Sequence, residues 1–89
     1  MSNLSEIKRL QKNAAATLLN VTDYVNTATD AQLDKGTVWF LTEEAEGAFN
    51  EFLAAAKLLR PSFEYTKTTS EMAQAWMEEA LKNKQEKCA

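Results

Sequence analysis

Residues 4–28 read LSEIKRLQKNAAATLLNVTDYVNTA, and their apolar positions decide the fold. Leu4, Ile7, Ala14, Leu18, Val21, Val25 and Ala28 step by three and four, interrupted at Gln11, while Leu10 and Tyr24 widen the stripe. This spacing places one apolar face along a helix, and such a face must be covered by a partner surface. Asn3 and Glu6 have capping-pair spacing, so the helix is expected to begin at Asn3. Beyond Asn20, the β-branched Val21, Thr22, Val25, Thr27 and Thr29 lower helix propensity, yet the stripe carries it to Ala28. The expected rod is roughly 37 Å long. Gln11 and Ala14 occupy positions where a zipper wants Leu, Ile or Val, so the stripe reads as a bundle face rather than a coiled-coil seam.

Outward from this helix, Thr29 and Gln32 stand at capping-box spacing and predict one short helical turn, with Gly36 as its C′ residue. Thr37–Leu41 is β-branched and aromatic, which suggests a short strand or a buried connection. A lone strand leaves its backbone unpaired, so the connection is preferred, pinned by Trp39 and Phe40. Thr42, followed by Glu43 and Glu44, is read as the start of a second helix, with the acids opposing the positive end of its dipole. Ala45, Ala48, Phe49, Phe52, Leu53, Ala56 and Leu59 form its apolar arc, and Arg60-Pro61 ends it. A loop over 61–67 presents Phe63 and Tyr65 in alternation. Thr68 and Glu71 then form a capping box that opens a third helix carrying Met72, Ala73, Trp76, Met77, Ala80 and Leu81 on its apolar side. Residues 82–89 are read as a charged tail that frays.

The expected architecture is therefore all-α: one domain over residues 1–89, a small helical bundle with one long N-terminal helix packed on a two-helix unit. Its expected core is Ile7, Leu18, Val21, Val25, Phe49, Phe52, Leu53, Leu59, Trp76 and Met77. Composition agrees, because two glycines and one proline among 89 residues are too few for a turn-rich β fold. The long stripe exceeds what shorter helices can cover, which suggests a homodimer.

Charge and residue inventory narrow the chemistry. The chain carries a net charge of −3, which disfavours direct nucleic-acid binding. The acid is concentrated in residues 20–56, where Asp23, Asp30, Asp34, Glu43, Glu44, Glu46 and Glu51 face only Lys35. Histidine is absent, which removes the commonest general base and metal ligand. The single cysteine, Cys88, allows no intrachain disulfide and no zinc-binding Cys pair, and is read as an incidental thiol in a reducing compartment. Asp30, Asp34 and Gly36 lack the alternating acids and terminal Glu of a calcium loop. Gly36 and Gly47 are too far apart to cradle a phosphate. No catalytic residue, metal or cofactor is expected. No signal peptide and no membrane-spanning run are recognised, and a cytoplasmic protein is expected.

The functional expectation is a non-enzymatic protein–protein interaction module. It acts as a small inhibitor or adaptor, of the type carried by phages and mobile elements, that occludes a larger partner through helix faces. The expected partner surface lies on the second helix: Gly47, Ala54 and Leu58 opposite the apolar arc, with an acidic rim of Glu43, Glu44, Glu46 and Glu51. Two alternatives remain. One is an acidic nucleic-acid mimic that blocks a basic groove. The other is a helix-turn-helix regulator reading bases with Ser70, Glu71 and Gln74 and touching phosphate with Lys82, Lys84 and Lys87.

Overall fold

A computed structural model of the chain describes the backbone of residues 2–88 and the side chains of residues 3–86. Three helices follow in order: α1 (Ser2–Thr27), α2 (Lys35–Leu59) and α3 (Thr69–Cys88). They form an all-α bundle of 47 × 23 × 22 Å. A helix of α1's length spans roughly 39 Å, so α1 runs most of the long axis. It packs chiefly along α2, and α3 packs on α2 while meeting α1 over a smaller area.

The stripe read from α1 is the face that packs. Ile7, Ala14, Val21, Val25 and Ala28 are buried, whereas Leu4 at the open end is 57 % exposed. Leu10 and Leu18 are half-buried on its margins. Asn3 lies within the first turn, and Glu6 bonds forward to Arg9 instead of reaching back as a cap. At the other end Ala28 N–H donates to the Tyr24 carbonyl at 2.8 Å, so helical bonding carries to Ala28.

The connection contains the expected turn. Thr29 N–H donates to Gln32 Oε1 at 2.8 Å, and Gln32 N–H donates to Thr29 Oγ1 at 3.2 Å. This is the reciprocal bonding that a capping box provides.

The largest departure from the sequence reading is at 37–41, which is neither strand nor connection. Asp34 is the N-cap: its side chain accepts from Thr37 N–H at 2.8 Å, and α2 begins at Lys35. Gly36 therefore sits in the first turn and not at a C′ position, and no described glycine has positive φ. Thr42 is interior to α2, where its hydroxyl donates to the Val38 carbonyl at 2.7 Å. The physical reason is one of scale. The β-branched residues cost only about 0.7 kcal/mol each in propensity, while helical geometry buries Leu41 and half-buries Val38.

This longer α2 revises the core. Val21, Val25, Leu41 and Met77 form its cluster, with Leu33, Val38, Trp76 and Leu81 packed against it. Ala14, Ala45, Ala48, Ala55 and Ala73 are also buried, and side chains this small let helix axes approach closely. Of the expected core, Ile7, Val21, Val25 and Met77 are buried; Leu18, Phe49, Phe52, Leu53 and Trp76 are half-buried; Leu59 is 69 % exposed. Trp39 and Phe40 pin nothing: on a helix that turns Val38 and Leu41 inward, they point out and are 66 % and 56 % exposed. Helix α2 has 25 residues to α1's 26, so the stripe is matched in length by its neighbour, although Leu4 at its open end stays exposed.

Helix α2 ends at Leu59, where Arg60 leaves helical geometry and its N–H caps the Ala56 carbonyl. In the following loop Phe63 and Tyr65 meet edge-to-face at 5.5 Å, and the Tyr65 hydroxyl donates to the Phe49 carbonyl at 3.2 Å. Burial raises the Tyr65 pKa above its ordinary value. Thr68 and Glu71 make the expected capping box, with Glu71 N–H donating to Thr68 Oγ1 at 3.1 Å and Thr68 N–H to Glu71 Oε1 at 3.2 Å. Residues 82–86, read as part of a fraying tail, lie within α3. Lys84 Nζ donates to the Ala28 carbonyl at 2.8 Å, placing a cation on the negative end of α1. The Cys88 thiol and Lys87 side chain, both named in the sequence reading, lie outside the described side chains.

Candidate functional site

An open groove of about 520 Å³ lies between the second half of α1 and the first turns of α2. Thr17, Asn20, Val21 and Tyr24 line it from α1, and Thr37, Phe40, Leu41 and Glu44 line it from α2, with Gly36 at its end. Val21 and Leu41 belong to the core cluster, so the groove has a floor continuous with the interior. Tyr24 and Phe40 stand on its two sides, 41 % and 56 % exposed. Two aromatic rings left half in water across one apolar floor are the least ordinary surface feature of the molecule.

The position of Phe40 follows from the register that Asp34 sets. With about 100° between successive residues, Leu41 faces the core and Phe40 lies on the shoulder of α2 toward α1. Glu44, Gly47, Glu51, Ala54 and Leu58 continue that shoulder in steps of three and four. Five of the seven residues expected to form a partner surface therefore share one stripe with Phe40. Glu43 lies beside it on the solvent side. Glu46 does not join it: it is half-buried on the opposite flank of α2. Along the stripe Gly47 and Ala54 are exposed, while Glu51 and Leu58 are half-buried. A Cβ built on Gly47 meets nothing within 4 Å, so nothing in the chain packs there. Tyr24 and Phe40 were missing from the expected site. The signal was present in the i, i+3, i+4 sequence Val38, Leu41, Ala45, Ala48, which leaves Phe40 beside the buried arc rather than in it.

The charges on this face differ along its length. At the far end, Arg9 donates to Glu6 through Nε at 3.0 Å and through a second, closer contact. That bond holds Glu6 below the ordinary carboxylate range and raises Arg9, to which Glu51 across the helix pair adds a smaller electrostatic contribution. Asp34 is also lowered, first by the Thr37 backbone N–H, and Glu71 by that of Thr68. These two carboxylates are occupied as helix caps. Glu43 and Glu44, around Phe40, are exposed, and among the described residues the one ion pair is that of Glu6 with Arg9. Among the described residues no three His, Cys, Asp or Glu side chains group as a metal site.

Two smaller concavities flank α3. One of about 170 Å³ lies between Thr22, Val25 and Asn26 of α1 and Trp76, Glu79, Ala80 and Asn83 of α3. The other, about 240 Å³, lies where Asp30 and Leu33 of the connection meet Leu81, Lys84 and Gln85. In the DNA-binding alternative, Glu71 of the base-reading set is engaged in its capping box and Lys84 of the phosphate-touching set in the α1 terminus. The α2–α3 connection spans 60–68, longer than the three or four residues, roughly, of a helix-turn-helix turn.

No helix among the described residues is long and apolar enough to cross a membrane. Compared with known proteins, the chain matches no family model, no curated protein and no solved structure.

Proposed function

We propose that this protein is a non-enzymatic interaction module, a small inhibitor or adaptor that occludes a larger protein partner through the α1–α2 face. The observation that carries this reading is the pairing of exposed Tyr24 and Phe40 across an apolar groove. Aromatic side chains supply large contact area at low conformational cost, and they are enriched where proteins bind one another. The neighbouring stripe of Glu44, Gly47, Glu51, Ala54 and Leu58 extends the contact along α2. The absence of histidine from the sequence and the use of Asp34 and Glu71 as caps agree with binding rather than proton-transfer chemistry.

A photo-crosslinking amino acid placed at Phe40 tests this, with the same group at Lys57 on the exposed side of α2 as its control. A discrete protein adduct formed in the cells of origin from position 40, and not from position 57, is the expected result. Identical adduct patterns from both positions would overturn the reading.

A further inference from the structure

We infer that the occupant of the α1–α2 groove is a cationic amphipathic helix, its apolar stripe on Tyr24 and Phe40 and its lysine or arginine side chains against Glu43 and Glu44. This rests on the groove being a protein-docking site and adds the chemistry of the partner. Two features point to it.

Shape comes first. The groove lies between two helices packed along each other, and its lining runs from Thr17 to Tyr24 on one side and from Thr37 to Glu44 on the other. Each wall is about two helical turns, or roughly 10 Å. An element laid along such a furrow contacts it at three- and four-residue spacing, the way an amphipathic helix meets a groove. Gly47, one turn beyond Glu44 and bare of neighbours, leaves room for that element to continue.

Charge comes second. Glu44 lines the groove and Glu43 flanks Phe40 on its solvent side, so carboxylates stand on both sides of the ring. Neither is ion-paired among the described residues. They lie in the segment where seven acids face one lysine. A cationic helix gains attraction at this rim, and an acidic one is repelled.

The probe is a fluorescein-labelled peptide of about 16 residues, roughly four turns, with Leu at i, i+3, i+4 and i+7 and Lys elsewhere. Its anisotropy is measured against the full chain, alongside a peptide with Glu in place of every Lys. The Lys peptide is expected to bind at least about tenfold more tightly than the Glu peptide, with an affinity that falls as salt is added. Glu43→Gln with Glu44→Gln is expected to weaken it about fivefold to tenfold, the scale of two rim charge pairs. Glu78→Gln with Glu79→Gln removes equal charge on α3 and is expected to change nothing. Phe40→Ser, at a position 56 % exposed and expected to leave the circular dichroism melt intact, is expected to weaken binding about tenfold or more.

Equal binding of the two peptides overturns the proposal. So does an equal loss from the α3 pair, or indifference to Phe40→Ser. A concentration-dependent dimer that Phe40→Ser dissociates assigns the groove to a second copy and also overturns it. If the crosslinker at position 40 captures a protein that the Lys peptide does not displace, the inference fails while the docking function stands.

Discussion

The two ends of the α1–α2 pair are built differently. At the end where α1 finishes and α2 begins, three elements converge. Val21, Val25, Leu41 and Met77 close a core, Leu33 of the connection and Leu81 of α3 pack on it, and Lys84 caps α1. At the other end Ile7 and Ala55 are buried, but Leu4 and Leu59 stand 57 % and 69 % exposed. The difference teaches that an amphipathic helix buries its stripe only as far as it has neighbours. Helix α3 meets α1 near Thr22, Val25 and Asn26, so apolar residues of equal size contribute unequally along one stripe. The groove with Tyr24 and Phe40 sits at the well-supported end, where a rigid floor can present it.

The sharpest way to break this comparison is to truncate one leucine at each end. Leu41→Ala is expected to cost about 2–5 kcal/mol, the range for a buried leucine. Leu59→Ala is expected to stay within about 0.5 kcal/mol, as at an exposed site. Urea unfolding of the two variants gives both numbers, and equal losses would show that the ends are equally supported. The middle of the pair makes a separate demand. Ala45 and Ala14 are each 0 % exposed, so there is no room for a larger side chain. Ala45→Leu is expected to destabilise by about 1–3 kcal/mol through overpacking, also read from the urea midpoint.

Much of this contrast was legible in the sequence, and the exceptions have physical causes. The all-α class, the α1 stripe, the Arg60-Pro61 stop and the Thr68–Glu71 box all rest on local signals that the tertiary structure does not oppose. The start of α2 was misplaced because two caps compete in the sequence: Thr42 before two glutamates, and Asp34 before Thr37. Local propensity favours the later one. Burial of Leu41 against Val21, Val25 and Met77 favours the earlier one, and that contact is invisible without the fold. The same shift explains the site. The acidic stripe on α2 is readable from spacing, but a reading that puts Phe40 in a connection keeps it off that stripe. Leu59 reads as core because its wheel position is apolar; nothing local announces that α2 outruns its neighbours there.

Acid weakens this fold in a definite direction. Glu6, Asp34 and Glu71 all have folded-state pKa values below their ordinary ones, each through a hydrogen bond to the ionised form. A lowered carboxylate contributes stability that is complete above its unfolded pKa and is lost as pH falls through the folded one. The melting temperature is therefore expected to hold from neutral pH down to about 5 and to decline below about 4. Asp34→Asn, which keeps a capping side chain but cannot titrate, is expected to flatten part of that decline. Because Asp34 caps the converging end and Glu6 sits at the open one, amide exchange at low pH separates them. Exchange in the first turn of α2 should quicken in the parent chain before it does in the Asn variant.

Lys84 offers the finest test of the converging end. Its stem is half-buried and its ammonium donates to the Ala28 carbonyl at 2.8 Å, with Asn26 at 3.5 Å. The interaction has two parts: apolar packing of the stem and a cation at the negative terminus of α1. Lys84→Met keeps the first and removes the second. The expected cost is about 0.3–1 kcal/mol, the scale of a charge at a helix terminus. Its location matters more than its size. If Lys84 ties α3 to α1, hydrogen exchange should quicken in the last turn of α1, around Tyr24–Ala28, and leave the first turns near Ile7 unchanged. The groove wall carrying Tyr24 belongs to that turn, so a loosened terminus should also lower affinity for anything docked against Phe40. A loss of stability spread evenly along α1 would instead mean that the two ends unfold as one unit, and that the contrast between them is one of packing alone.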